Sequence, residues 1–298
     1  MKISIGFETA KMLFRNNIEC AANEIKRAGF DGVDLEICET PLEQVLTNHW
    51  TEEMKRQANV VRNAGLEIAQ CHLHYQPSHE LLADGSYAAF EEAFLPVWIK
   101  EIQLCSEIGC PVAVVHMFFS DDPRKTLNGN MILLEKLLPI LKKYKVTLAI
   151  ENIYGWGEEY GDCGVTTAEQ IMQYIEAFNS EYIGACLDPG HAVCTDNDAV
   201  QMAKCFGKNL KATHINSSSG RDTHLFPGTL PSWIDPTDFA DLSRVLKEIG
   251  YTGTYNLEVS SGSYPNTPKI GKAYLEFAAQ IAKSYAEIEK VCIFFCQP

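Results

Sequence analysis

The sequence has no apolar run near the roughly 18 residues that a membrane-spanning helix needs, so no such helix and no membrane partner is expected. It is short of positive charge: 25 Lys and Arg stand against 39 Asp and Glu, for a net charge of −14. Proteins that hold nucleic acid neutralise phosphates with Lys and Arg, so a nucleic-acid partner is disfavoured. There is no CxxC pair. The 11 cysteines are odd in number and scattered, with Cys71, Cys110 and Cys186 inside apolar segments. That argues against a disulfide framework and for reduced, buried thiols. The opening MKISIGFET is too short and too soon polar to be a secretory signal, so a cytoplasmic location is expected. No linker, low-complexity segment or shift of composition divides the chain. One domain is expected over residues 1–286, followed by a tail over 287–298 whose apolar residues suit packing beneath the domain or a subunit contact. A homo-oligomer is therefore left open.

What the chain has is alternation. Strand-like segments are expected near residues 2–6, 32–37, 67–72, 111–117, 146–151, 182–188, 210–215 and 254–259. Between them run stretches with apolar residues at helical spacing, such as NIECAANEIKRAGF and FADLSRVLKEIG. Several end in Gly before the next strand, as a helix C-cap does. Eight strand–helix units in this length are what a (β/α)8 barrel requires. Parity along the strands agrees. In VTLAIE, Glu151 shares a face with Ala149 and Thr147, while the large aliphatics share the other. Small and polar residues would fill the interior, and aliphatics would pack beneath the helices.

Four residues stand out at the carboxyl ends of successive strands: Glu151 in AIEN, Asp188 in CLDPGH, His214 in ATHIN and Glu258 in NLEV. In a barrel they converge on one mouth. Ionised carboxylates are rarely buried unless paired or bound to metal, and hard oxygen ligands with one imidazole suit Mn, Co, Mg or Zn. Two glutamates on different strands can also flank a bound carbon, one removing a proton and the other returning it.

The segment HINSSSGRDTHLFPGTLPSWIDPTDFADLSRVLKEIGYTGTYNLEVS, with LDPGHA and AIEN, resembles the xylose isomerase-like barrels. That group includes sugar and sugar phosphate isomerases and epimerases and the metal-dependent AP endonucleases of family 2. The resemblance implies a (β/α)8 TIM barrel in which Glu151, Asp188, His214 and Glu258 bind a divalent metal. It implies that Glu151 and Glu258 are the catalytic pair on a metal-bound ketose. It makes His191 and Arg221 substrate contacts, Arg221 by a match displaced by one residue. His72, His116, His191, Asp222 and His224 match the further ligand positions of the AP endonucleases, and His72 and His116 serve as substrate contacts in the sugar reading. His74 shares a strand face with His72. His74, Asp222 and His224 are candidates either for an additional metal or for fastening a loop.

The expected activity is that of a metal-dependent sugar isomerase or epimerase acting on a small sugar or polyol. The alternatives are a zinc phosphodiesterase of the AP endonuclease kind and an inosose-type dehydratase on the same scaffold. The loops favour the sugar. Those after the second, third and fifth strands are acidic and hold no basic residue. Tyr75, Phe118, Phe119, Tyr154, Trp156, Phe226 and Trp233 could wall a sugar ring, and the scarcity of Lys and Arg favours an unphosphorylated substrate. Glu36 ends the second strand with the same parity, to bind substrate or to pair with a cation.

Overall fold

The computed structural model describes residues 1–75, 86–120, 122–154, 162–260 and 267–288. Eight strands are seen: β1 (Ile3–Gly6), β2 (Gly32–Asp34), β3 (Glu67–His72), β4 (Val112–Val115), β5 (Thr147–Glu151), β6 (Ile183–Leu187), β7 (Leu210–Thr213) and β8 (Tyr255–Leu257). They run side by side in the order β7-β6-β5-β4-β3-β2-β1-β8, and every pairing is parallel. β7 and β8 close the ring through a single parallel bridge, Ile215 with Leu257. Ile215 N donates to Asn256 O at 2.7 Å, and Glu258 N donates to Ile215 O at 3.2 Å. The fold is the expected TIM barrel.

The helices are α1 (Phe7–Leu13), α2 (Ile18–Ala28), α3 (Leu42–Val45), α4 (Asn48–Asn63), α5 (Tyr87–Glu107), α6 (Pro123–Tyr144), α7 (Ala168–Phe178), α8 (Pro189–Cys194), α9 (Ala199–Phe206), α10 (Phe239–Glu248) and α11 (Pro268–Ala286). Their ends carry the signals read from the sequence. Asn17 caps α2 by accepting from Cys20 N, and Gly29 ends it at φ 101°, where a side chain would be strained. Thr167 and Gln170 form a capping box at the start of α7.

Parity divides the core as expected. Leu148 and Ile150 point outward into the large apolar layer beneath the helices. Val114, Ala149, Cys186 and Ala212 form a separate small cluster inside the barrel. The opposite arc of the interior is polar and fully bonded. Ser4 Oγ donates to Asn256 Oδ1 at 2.7 Å. Gln70 Nε2 donates to Asp34 Oδ2 at 2.7 Å.

The strands are shorter than their patterns suggest. Asp188, His214 and Glu258 stand one residue beyond the strand, and Glu36 and His116 also lie outside it. Backbone bonding continues past the regular ladder by other means: His214 N reaches Leu187 O at 2.9 Å, and Asp188 N is taken by the Asn152 side chain at 2.8 Å. β2 ends at Asp34, its register against β3 having shifted between Val33 and Asp34. A short 3-10 turn, Ile37–Glu39, follows. The expected tail falls, from residue 289, outside the described residues.

Candidate metal centre

Side chains alternate along a strand, so the residue two beyond each interior position points inward at the next level up. Above Gln70, Val114, Ala149, Cys186, Ala212, Asn256 and Asp34 come His72, His116, Glu151, Asp188, His214, Glu258 and Glu36. On β1 the corresponding position above Ser4 is Gly6. One ring of the barrel thus supplies nearly all the chemistry. His191 joins it from α8, and Asp222 and His224 join from the segment after β7.

The four residues of the expected ligand set sit close to one another. His214 Nδ1 lies 2.9 Å from Glu151 Oε2 and 3.3 Å from Glu258 Oε2. Asp188 is linked through His191, whose Nδ1 lies 3.3 Å from Glu151 Oε1 and 4.0 Å from Asp188 Oδ2. His72 Nε2 and His116 Nε2 approach Glu151 Oε2 at 3.5 and 3.2 Å. On the outer side, His224 Nε2 lies 2.6 Å and His191 Nε2 3.7 Å from Asp222 Oδ1.

Hydrogen bonds behind the ring aim the imidazoles. His214 Nε2 lies 3.2 Å from the buried Asp34 carboxylate, so its Nδ1 lone pair is turned toward Glu151 and Glu258. His72 Nδ1 bonds Leu73 O at 2.8 Å, His191 Nδ1 bonds Asn152 O at 2.9 Å and His224 Nδ1 bonds Glu258 O at 3.1 Å. Carbonyl oxygens only accept, so these Nδ1 atoms carry the hydrogens and each Nε2 is left as the ligand-capable atom. Metal-binding histidines are held in this way. Asp188 is fixed by His191 N at 2.7 Å and by Asn216 Nδ2 at 2.7 Å.

Five buried polar atoms at the centre have no hydrogen-bond partner among the described residues: His116 Nε2, both Glu151 oxygens, His214 Nδ1 and Glu258 Oε2. A buried polar atom left unbonded costs about 1–3 kcal/mol. Atoms that crowd within 3.5 Å without hydrogen-bond geometry could hold a cation, and hard carboxylate with imidazole donors would fit a divalent one.

Without an ion, the crowded ring shifts its own ionisation. Burial alone would raise the Glu151 carboxyl, but the charges of His214 and His116 outweigh it and hold it well below the ordinary range. Burial opposes charge on His214, yet Cys186, Glu151 and Glu258 drive it well above the usual histidine value. Burial keeps His116 below that value. Burial also pushes Asp188 up to about 7, against the pull of His191.

The centre opens into a cavity of about 260 Å3, at or below the roughly 300–1,000 Å3 of most small-molecule clefts. Its lining includes His72, His116, His191, Asp222, His224 and Glu258. Tyr75, Phe119 and Tyr154 form aromatic wall, and Glu8, Glu36 and Glu39 line it as well. Tyr154 is anchored by a 2.7 Å bond from its hydroxyl to Asp222.

The remaining described candidates lie away from the cavity or, like His74, take the loop-fastening role. Arg221 is exposed and absent from the lining; among the described residues only its backbone carbonyl is engaged, by Ser218 and Thr223. The loop turns its side chain to solvent, one residue away from the inward-facing Asp222. His74 is outside the cavity. Its Nδ1 pairs with the buried Glu101, and its Nε2 bonds Thr40 O at 2.6 Å, so it fastens a loop. Phe118 packs against Phe90 and Tyr87 in the core, Phe226 packs against Tyr274 and Phe277, and Trp233 is 84% exposed. Trp156 lies outside the described residues. Sequence reasoning missed Asp34, Asn152, Asn216 and Cys38. A charged residue inside the apolar run GVDLEI was the available signal for Asp34.

The family described as xylose isomerase-like TIM barrel matches residues 22–281. A probable endonuclease 4 from Sulfurihydrogenibium sp. is 30% identical over 178 residues, which are 50% of this chain and 62% of that protein. In three curated relatives the matched part spans 52–62% of their own length. Among solved structures, a D-tagatose 3-epimerase-like protein superposes with a TM-score of 0.69 at 19% identity, over 95% of this chain and 99% of that one. The IOLI protein with a bound zinc atom superposes with a TM-score of 0.67 at 18% identity, over 96% of each chain. At such identities the structures show a shared fold.

Proposed function

Because the chain belongs to the xylose isomerase-like TIM barrel family, we propose that it is a divalent-metal-dependent sugar isomerase or epimerase, with Glu151 and Glu258 as its proton-transfer pair. The observation that carries this is the set of buried atoms of Glu151, His214, Glu258 and His116 without a hydrogen bond among the described residues, next to a small, acidic, aromatic-walled cavity that Glu258 and His116 line. Glu151, Asp188, His214 and Glu258 would hold the ion. A bound divalent ion polarises a substrate carbonyl and the hydroxyl beside it.

The chain's own residues do the rest. Glu258, at the end of β8, lines the cavity, Glu151 of β5 lies directly behind His72 and His116 of that lining, and both carboxylates flank His214. One carboxylate takes the proton from the carbon beside the carbonyl. The C–H electron pair becomes the carbon–carbon double bond of an enediolate, and the carbonyl pair moves onto oxygen. The other carboxyl returns a proton, to the opposite face for epimerisation or to the neighbouring carbon for isomerisation. His191 Nε2, free of backbone bonding, is placed to meet a substrate oxygen. The D-tagatose 3-epimerase-like and zinc-bound neighbours support this reading of the site.

A second reading is a zinc phosphodiesterase acting on abasic DNA. It draws on the compact group His191, Asp222 and His224, which could hold another ion, and on the endonuclease relative. An inosose-type dehydratase would use the same centre and is separated by product analysis. The absence of Lys and Arg from the cavity lining among the described residues favours the sugar over a phosphodiester.

The test is solvent exchange. Protein loaded with Mn2+ or Co2+ should move deuterium from D2O onto a ketose carbon beside the carbonyl. Glu151→Gln and Glu258→Gln should each slow this by about 100-fold or more while leaving the circular dichroism spectrum unchanged. A double variant that still turns over rejects the mechanism, and incision of abasic duplex by the wild type would favour the second reading.

A further inference from the structure

One wall of the cavity plays no part in holding an ion or moving a proton. It lies on the arc between Glu258 and His72, where β1 and β2 end, and its central group is Glu36. The Glu36 side chain lines the cavity. It leans across β1 at Gly6, the one inward position of the upper ring without a side chain. A Cβ at Gly6 would stand 2.7 Å from both Glu36 oxygens, so the carboxyl occupies space that any other residue there would fill. Glu8 N donates to Glu36 Oε2 at 2.7 Å. No Lys, Arg or His pairs with Glu36 among the described residues.

A carboxyl held in place and left without a cation is not an ordinary structural glutamate, because buried carboxylates are normally paired. Burial, with Asp34 and Glu258 adding to it, pushes Glu36 up to about 8. In either protonation state its oxygens accept a hydrogen bond, which a substrate hydroxyl can donate.

The surroundings restrict what that substrate carries. Glu8 and Glu39 line the same side of the cavity. The nearby Lys11 is already paired to Glu8 and is not part of the lining. The sequence of residues 76–85, 155–161 and 261–266, which follow the strand-end segments of β3, β5 and β8, contains no Lys or Arg. Those segments therefore bring no Lys or Arg to a phosphate or carboxylate, and an anion on this wall would meet acidic side chains with no Lys or Arg in the lining.

From this geometry we infer that Glu36, seated over Gly6, selects uncharged polyhydroxyl substrates by hydrogen-bonding a substrate hydroxyl and turns away phosphorylated or acidic sugars. The inference rests on the sugar reading above, and it adds a specificity residue outside the proton-transfer pair.

Binding and turnover are measured separately on the metal-loaded full chain. Binding uses a polyol without a carbonyl, D-sorbitol, followed by calorimetry. Turnover uses deuterium exchange into D-tagatose, D-fructose and D-fructose 6-phosphate. Glu36→Ala should weaken D-sorbitol binding and raise the KM of the neutral ketose by about tenfold, the size of one buried hydrogen bond, with metal content unchanged. Glu36→Gln keeps an acceptor and should recover most of that loss. The wild type should prefer the neutral ketoses over the phosphate ester by at least tenfold. Unchanged binding in Glu36→Ala, or equal losses in the Ala and Gln variants, would overturn the role of Glu36, as would a preference for the phosphate ester. D-sorbitol binding that depends on Glu36, without exchange into any ketose, would sink the isomerase reading and leave the hydroxyl contact standing.

Discussion

Asp34 illustrates the centre at the scale of one residue. It receives Gln70 Nε2, His72 N and His214 Nε2, so a carboxylate two residues before the rim of β2 fixes the ring on β7. Outer partners of this kind typically account for 10–100-fold of metal affinity. Asp34→Asn should therefore weaken Mn2+ or Zn2+ binding by about that factor in a chelator competition, and unchanged affinity would show that His214 is held by packing alone. The proton and the ion compete for the same His214 lone pair. Without an ion the carboxylates keep this imidazole charged well above its ordinary value, so loading must expel a proton. Apparent metal affinity should rise from pH 6 to pH 8, with proton release seen by calorimetry in buffers of different ionisation enthalpy. At this scale the sequence was legible where a polar residue closed an apolar run, as at Glu151 and Glu258. It was not legible at Asn152 or Asn216, whose bonds to Asp188 cross 36 and 28 residues of chain.

Among the elements, α5 controls the turn that carries Cys38 and Glu39 into the cavity. Both nitrogens of His74 face acceptors, Glu101 on one side and Thr40 O on the other, so the ring must hold two protons. Trp98 of α5 closes the arrangement by donating to His74 O at 2.7 Å. The two partners respond differently to burial. For His74 burial is outweighed by Glu101, and its value is raised. For Glu101 burial outweighs His74, and the carboxyl is raised as well. Both groups thus bind protons more tightly in the folded chain. The His74 contribution is complete below the ordinary histidine value of about 6.5 and is lost as pH climbs through the raised folded value; that of Glu101 also declines upward. Glu101→Ala should cost about 3 kcal/mol at pH 6 by urea unfolding, and the gap to wild type should narrow toward pH 9. A gap that widens with pH would contradict the pairing. The sequence located every strand, because the change from period 3.6 to period 2 is strong in this chain. It overran their ends, because the inward parity of Asp188, His214 and Glu258 continues after the regular ladder has stopped.

For the molecule as a whole, the barrel explains why residues spread from Glu36 to Glu258 act together. A ring of parallel strands delivers one inward residue per strand at one height, and helices on the outside remove the aliphatic faces from water. The fold was readable because eight repeats of one pattern admit few architectures. The aromatic walls were readable only in part, since Phe118, Phe226 and Trp233 have the composition of a binding surface but sit in the core, against α11 or in solvent. The proposal that Glu151, Asp188, His214 and Glu258 hold an ion underlies the rest of the account. Crystals grown with Mn2+ and measured at the manganese absorption edge test it most directly. The account predicts an anomalous peak bonded to His214 Nδ1 and to oxygens of Glu151, Asp188 and Glu258; ordered side chains in those four positions with no peak among them would contradict it.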